Sequence, residues 1–145
     1  MKIKYSYIFA DSRHKKIRTM QDLKAGGYHE CKFGFYLNGK PIGEGALCIF
    51  ESKNVHTEWV HIDKKYRKKG HGIHLYRLLI SCARKIGAER VYSSRNLNKL
   101  SRRMWSEKLP KLFDVRESKH SNRCRRCHVR SAAKRYYIIL RKNSA

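Results

Sequence analysis

Residues 62–72 read Ile-Asp-Lys-Lys-Tyr-Arg-Lys-Lys-Gly-His-Gly and separate a strand-like run from a helix-like run. Five of the six residues at 64–69 are basic. Gly70 and Gly72 lie just before the helix-like run, and glycine lets backbone N–H groups approach a ligand with no side chain between them. Because a helix N-terminus presents unpaired N–H groups at the positive end of its dipole, this loop is suited to a phosphate or pyrophosphate.

The segments on either side of this loop predict a strand, a helix and a second strand. Residues 55–62 and 91–94 are β-rich runs. Between them, residues 73–86 predict a helix that ends at Gly87, since apolar side chains recur there at helical spacing. These side chains are Leu75, Leu78, Leu79, Cys82 and Ile86. A strand, a helix and a strand in one sheet form a parallel pair with a right-handed crossover.

The N-terminal part predicts antiparallel strands. Residues 32–37 and 42–50 are β-rich runs separated by Asn38-Gly39-Lys40-Pro41. Asparagine and glycine both tolerate the positive φ that a tight hairpin requires, so we expect the two runs to pair. Residues 2–9 predict a further strand before them.

Two more helices are predicted. Asp11 or Ser12 can cap the first, and Gly26-Gly27 ends it. Its inward-facing side chains are Ile17, Met20 and Leu23. The second helix covers residues 97–109, with Asn96 as its cap.

The last strands complete the predicted fold. Residues 113–116 and 136–140 predict strands on either side of a basic loop at residues 118–130. We expect a single domain, residues 1–145, of the α/β (α+β) class. Its mixed, mostly antiparallel sheet would have about six or seven strands, one parallel pair and three or four flanking helices.

The composition predicts a folded, strongly cationic protein. The chain has 35 Lys and Arg against 11 Asp and Glu, a net charge of +24, while its 41% hydrophobic share argues against disorder. No apolar run reaches the ~18 residues of a membrane span, and the start of the chain lacks a secretory signal, so a cytoplasmic location is expected. The five cysteines, an odd number, predict reduced thiols rather than a disulfide framework.

The pattern Arg67-x-x-Gly70-x-Gly72 between strand and helix resembles the acetyl-CoA pyrophosphate loop of the GNAT superfamily of N-acetyltransferases. It differs from a Walker loop and from the dinucleotide fingerprint, which have other glycine spacings. The order of the predicted elements also resembles that family, and Asn98 lies seven residues before the aromatic Trp105, an interval typical of it. The small size and strong charge resemble compact acetyltransferases of bacteriophages and bacterial toxin modules.

The resemblance implies acetyl-CoA as cosubstrate, bound at the parallel pair, with no metal. It implies that backbone groups of His61 and Ile62 meet the pantetheine arm, and that Asn98 contacts the same arm. Basic residues near Arg102 or Arg103 would meet the ribose phosphate. The pyrophosphate would be held by Arg67, Lys68, Lys69, Gly70, His71 and Gly72.

Glu58 is the predicted general base, because the family often carries an acidic residue four positions before the strand end at Ile62. Acetyl transfer needs a neutral amine, and a base can supply it. Residues 56, 58, 60 and 62 share a face of a regular strand, so His56 could cooperate with Glu58 or replace it. The structural alternative is that Glu58 only pairs with a nearby cation.

The proton donor to the leaving thiolate is less defined. Trp105 occupies the position of the family's frequent tyrosine acid, and an indole N–H is no practical acid at neutral pH. Tyr92, Ser93, Ser94 or solvent are the remaining donors, unless the step is unassisted. Covalent catalysis by Cys48 or Cys82 is less attractive, because both are expected to be buried. We therefore expect direct transfer.

The net positive charge also indicates which acceptors and macromolecular partners the protein attracts. No acidic residue follows Glu117, so the C-terminal region is a candidate site for RNA or DNA. A cationic protein repels polyamines and lysine-rich tails, whereas it attracts an amine on an anionic body, such as aminoacyl-tRNA or an acidic protein. The alternative function is a nucleic-acid-binding protein that uses the same scaffold without catalysis.

Cys124-Arg-Arg-Cys127-His128, with His120 before it, is the remaining motif. Its spacing is too compressed for the usual zinc arrangement of two separated ligand pairs. An incidental basic loop is the leading interpretation, and zinc binding and redox pairing remain alternatives.

Overall fold

Seven strands form one mixed sheet in the computed structural model, which describes residues 3–9, 19–25, 30–50, 53–94, 97–118 and 135–140. The strand order is β1-β2-β3-β4-β5-β7-β6. The strands are β1 Tyr5–Phe9, β2 Glu30–Leu37, β3 Lys40–Phe50, β4 Asn54–Ile62, β5 Arg90–Tyr92, β6 Val115–Ser118 and β7 Arg135–Ile139. The α-helices are α1 Met20–Ala25, α2 Gly72–Lys85 and α3 Lys99–Arg103. The predicted order of elements and the mixed sheet are confirmed.

The first four strands form an antiparallel meander. Asn38 and Gly39 connect β2 to β3 with φ values of 50° and 81°, the two positive angles of a tight hairpin turn. The predicted hairpin is confirmed. Both of its strands begin two residues earlier than predicted, because pairing with the neighbouring strand extends them.

The parallel pair between β4 and β5 is short. It comprises Asn54 with Arg90, Val55 with Val91, and His56 with Tyr92. On its other side β5 pairs with β7 over the same three residues, and after β5 the Ser93 N–H donates to the Tyr136 carbonyl over 2.8 Å. Beyond His56, therefore, the β5 side of β4 faces no other strand in the described part of the chain, and the sheet opens into a wedge.

Helix α2 covers one face of the sheet. Leu75, Leu79 and Ile80 are buried in the main hydrophobic core, together with Phe33 and Phe35 of β2. A second, smaller cluster contains Cys48 and Tyr92, with Tyr137 packed against it. No helix in the described ranges has both the length and the apolar character that crossing a membrane requires.

Helix α1 begins after a cap that was not predicted. The Thr19 hydroxyl accepts from the Asp22 N–H, and the Asp22 carboxylate accepts from the Thr19 N–H, both over 3.1 Å. Met20 is buried as expected. Asp11, Ser12, Ile17 and Gly26-Gly27 lie outside the described residues.

The helix predicted over residues 97–109 is α-helical only over Lys99–Arg103 and continues as a π-helical turn, Met104–Lys108, and a 3-10 turn, Leu109–Lys111. The Leu109 N–H donates to the Met104 carbonyl five residues back, which makes this turn π-helical, and Pro110, which has no N–H to donate, lies in the 3-10 turn that follows. The cap is Asn98 rather than Asn96, which lies outside the described residues. β6 and β7 lie within two residues of their predicted positions.

Candidate active site

The basic loop approaches α2 through two left-handed residues. Lys68 and Gly70 have φ values of 61° and 81°. Helix α2 starts at Gly72, and its first hydrogen bonds are donated by His74 and Leu75 to the His71 carbonyl. The N–H groups of Gly72 and Ile73 therefore precede the hydrogen-bond ladder and are placed to donate to an anion.

The loop side chains form an exposed cationic surface. Lys64, Lys65, Lys68 and Lys69 are all exposed. Arg67 is exposed too, but its Nε donates to the Ile62 carbonyl over 2.8 Å, and a terminal nitrogen lies 3.5 Å from Nδ1 of His61. Arg67 therefore also fastens the loop to the end of β4, a contact that the sequence did not predict.

Gly72 lies at a close approach between α2 and the π-helical turn. A Cβ at Gly72 would meet Cε of Met104 at 3.2 Å and Cδ1 of Ile62 at 3.6 Å. This packing brings the segment that contains Asn98, Arg102 and Met104 next to the start of α2. Arg102 is exposed there. The predicted cofactor residues on the loop and on α3 thus lie on adjacent elements.

Asn98 already has a structural role. Its Oδ1 accepts hydrogen bonds from the N–H and from the hydroxyl of Ser101, each over 2.9 Å. An asparagine at this position satisfies one of the unpaired N–H groups at the helix start. A contact between Asn98 and the cofactor arm remains a prediction that must be compatible with this cap.

His71, inside the glycine motif, is tied to the first strand. Its Nδ1 lies 2.8 Å from the Tyr5 hydroxyl, and the Tyr5 ring stacks on His74 with centroids 4.2 Å apart. The pKa of His74 is lowered by burial and then by the charges of Arg77 and His71. The sequence could not predict this contact, because the partners are 66 residues apart.

Glu58 lies at a β-bulge. Leu47 of β3 pairs with Thr57 of β4, and Ala46 pairs with Trp59, so Glu58 is the extra residue of the bulge and has no cross-strand partner on β3. Its Oε2 is buried and has no hydrogen-bond partner in the described part of the chain. Burial raises the pKa of Glu58 to about 7, assisted by the hydrogen bond that protonated Glu58 can donate to Glu30 and by the charge of Glu30, while Lys32 acts in the opposite direction.

The bulge corrects the predicted alternation of β4. Residues 56, 58, 60 and 62 were expected on one face, but the extra residue changes the phase. Val60 and Ile62 pack against the main core, whereas His56 is buried on the rung that joins Cys48 and Tyr92 of the second cluster. His56 therefore does not share a face with Val60 and Ile62.

The candidate proton donors are largely engaged in packing or hydrogen bonding. Trp105 is fully buried and edge-on to Tyr76, with ring centroids 6.0 Å apart. The Tyr92 hydroxyl accepts from Arg90 over 3.4 Å. Ser93 is buried, and its Oγ accepts from the Tyr136 N–H over 3.1 Å and donates to the Ser94 carbonyl.

The two cysteines considered as nucleophiles are poorly suited to that role. Cys48 and Cys82 are both buried, as expected. Burial raises the pKa of the Cys82 thiol to about 11, and a thiol rather than a thiolate is a weak nucleophile.

The site residues fit an elongated thioester carrier with a diphosphate. The open edge of β4 offers backbone groups to an extended arm, the first N–H groups of α2 suit the diphosphate, and the exposed lysines supply charge. Within the residues that the structure describes, no three His, Cys, Asp or Glu side chains form a metal site. The motif from His120 to His128 lies outside the described residues.

Comparison with known proteins agrees with this geometry. The family model described as Acetyltransferase (GNAT) family matches residues 4–109. An acetyltransferase of the GNAT family from Staphylococcus aureus Mu50 has a similar structure, with a TM-score of 0.61 and 14% identity over 95% of this chain and 100% of the other. A Bacillus subtilis acetyltransferase in complex with CoA has a TM-score of 0.58 and 12% identity over 95% and 99%.

A chimera of the spermidine N-acetyltransferase SpeG from Vibrio cholerae and hSSAT has a TM-score of 0.60 and 12% identity, over 94% of this chain and 96% of the other. A search of curated protein sequences found no match. Because the family model covers most of the chain, the protein belongs to the GNAT acetyltransferase family. It is an acyltransferase that uses acetyl-CoA to acetylate an amine.

Proposed function

We propose that this acetyltransferase acts on an amine carried by an anionic macromolecule, such as aminoacyl-tRNA or an acidic protein, with Glu58 as the general base. The observation that carries the proposal is the position of Glu58. Its buried Oε2 lies at the bulge of β4, just past the last rung shared with β5, where the sheet opens.

The chemistry of Glu58 suits a base that works near neutral pH. The acceptor arrives mainly as an ammonium ion, because alkyl amines such as lysine have pKa values near ~10.4. With a pKa of about 7, Glu58 takes a proton more readily than an ordinary carboxylate and is still partly ionised at neutral pH. The acceptor nitrogen then has a free lone pair to attack the thioester carbonyl, and solvent protonates the departing thiolate.

Acetyl-CoA, when bound, supplies the thioester whose acetyl group is transferred. We assign the extended arm to the open edge of β4 at His61 and Ile62, with Asn98 nearby. The diphosphate is assigned to Lys68, Lys69 and the backbone from Gly70 through His71 to Gly72, where the left-handed Gly70 leaves open space. Arg67 holds the loop and adds charge, and Arg102 is assigned to the ribose phosphate.

The choice of acceptor rests on charge. The net charge of +24 repels a polycationic amine and attracts an amine on a polyanion. The basic residues of α3 and of the following turns are exposed. Within this described segment, Arg103 forms an ion pair with Glu107. The exposed set is Lys99, Arg102, Arg103, Lys108 and Lys111. Together with the basic C-terminal region, it supports an RNA-borne or acidic acceptor.

Release of free thiol across several amine classes tests the proposal. Aminoacyl-tRNA and an acidic protein should be acetylated faster than spermidine. Glu58→Gln should lower kcat by about a hundredfold or more, because a general base contributes that much, while CoA binding stays unchanged by calorimetry. Glu44→Gln is the matched control, since Glu44 is an exposed carboxylate on the neighbouring strand. Full activity of Glu58→Gln, or a preference for spermidine, would contradict the proposal.

A further inference from the structure

Glu30 is brought to Glu58 by the register of the sheet. Glu30 begins β2 and pairs with Cys48 of β3, which in turn pairs with His56 of β4. Glu58 follows two residues along β4. Across β3 the two carboxyl groups are separated only by small, fully buried side chains, those of Ala46 and Cys48. The side chains of Glu30 and Glu58 can therefore meet above β3.

A hydrogen bond between two carboxyl groups requires a proton on one of them, because two carboxylates offer only acceptors. One proton shared between the two groups would hold them together, and the like charges left by its loss would repel each other. The resulting titration belongs to the pair, with the pKa of Glu58 at about 7.

Other titratable groups lie on the three strands that carry the pair. Lys32, on β2, lies with its Nζ 3.6 Å from Oε1 of Glu30, but its side chain is 60% exposed, so solvent weakens its effect on the pair. His56 of β4 and Cys48 of β3 are buried on the same rung as Glu30. Glu44 of β3 is exposed and lies on the rung of His61, away from the pair.

We propose that Glu30 is a positioning residue of the acetyltransferase: its carboxylate accepts a hydrogen bond from Glu58 once Glu58 has taken the proton of the acceptor amine. In this step the N–H bond of the ammonium group breaks, an O–H bond forms on Glu58, and the pair changes from two negative charges to one. The inference rests on the proposed role of Glu58 as the base.

Carbon NMR on protein labelled at the glutamate Cδ tests the pair without any acceptor. The Glu58 signal is the one lost in Glu58→Gln. Its titration midpoint should lie near 7 in the wild type and move towards the ordinary value of 4.5 in Glu30→Gln. Lys32→Met, which leaves both carboxyl groups intact, should move the midpoint upwards. A wild-type midpoint near 4.5, or a midpoint that Glu30→Gln does not move, would overturn the proposal.

The pH profile of kcat/KM for thiol release separates positioning from simple structural support. In Glu30→Gln the acidic limb should move to lower pH with the NMR midpoint, and the plateau should fall by about tenfold because the base is weaker. If Glu30 only supports the fold, activity falls at every pH and the limb stays in place. If Glu58→Gln is fully active, Glu58 is not the general base. If Glu58→Gln is inactive but the acidic limb of Glu30→Gln stays where it is in the wild type, only the role proposed for Glu30 is refuted.

Discussion

Glu58 makes folding stability depend on pH in an unusual direction for a carboxyl group. Its pKa is about 7 in the folded protein, above the ordinary 4.5. Between these values the folded state binds more protons than the unfolded state, so stability falls as pH rises. The unfavourable contribution is absent below 4.5 and fully present above 7.

Replacing Glu58 with glutamine should therefore stabilise the protein at alkaline pH, independently of the catalytic role proposed for Glu58. We expect a gain on the order of 1 kcal/mol above pH 7, after discounting for partial exposure, and no gain below 4.5. Urea unfolding at the two pH values measures it, with Glu44→Gln as the unaffected control. A loss of stability above pH 7 would mean that ionised Glu58 has a favourable partner.

The sequence points to some candidate site residues and not to others for a physical reason. Local chemistry indicates a role for Gly70 and Gly72, and the resemblance to the family indicates one for Glu58 in the same continuous segment. Glu30 could not be predicted, because it lies 28 residues before Glu58 and only the register of three strands brings the two together. The contact between Tyr5 and His71 is non-local in the same way.

Among the elements, those governed by local chemistry were predicted best. The Asn38-Gly39 turn and the helix after Gly72 depend on residues within the segment itself. The bulge at Glu58 depends on how β4 pairs with β3, so the alternation expected of a regular strand gave the wrong phase. The helix predicted over residues 97–109 leaves regular α-helical hydrogen bonding at Met104, where the sequence has neither glycine nor proline to indicate it.

The start of α3 offers a test that separates the two roles of Asn98. Asn98→Ala should cost about 1 kcal/mol of unfolding free energy, because the Ser101 N–H loses its acceptor. Asn98→Ser keeps a capping oxygen and should keep most of that stability. Thermal unfolding compares the variants.

Calorimetry with CoA then shows whether Asn98 also contacts the cofactor. If it does, Asn98→Ser should bind CoA more weakly than the wild type although it is folded and capped. Equal affinity would restrict Asn98 to capping. Gly70→Asp is the control for lost binding, because its carboxylate would lie in the space assigned to the diphosphate and glycine suits the positive φ there.

At the scale of the whole molecule, the charge of +24 should make polyanion binding strongly salt-dependent. We expect affinity for tRNA, measured by fluorescence anisotropy, to fall by at least tenfold between about 50 and about 200 mM salt. Binding releases cations that are condensed on the RNA, and added salt opposes this release. Reversing the charges of Lys108 and Lys111 to glutamate should reduce this slope. A slope near zero would remove the electrostatic argument for the acceptor.

The three rungs between β4 and β5 also affect the mechanics of the molecule. They are the only strand pairing in the described sheet that joins the four-stranded meander to the remaining three strands. A seam this narrow resists separation less than the longer antiparallel ladders of the meander. A thioester carrier that binds in the wedge and contacts both halves would hold the two halves together. Ligand binding should therefore raise the stability of the folded sheet.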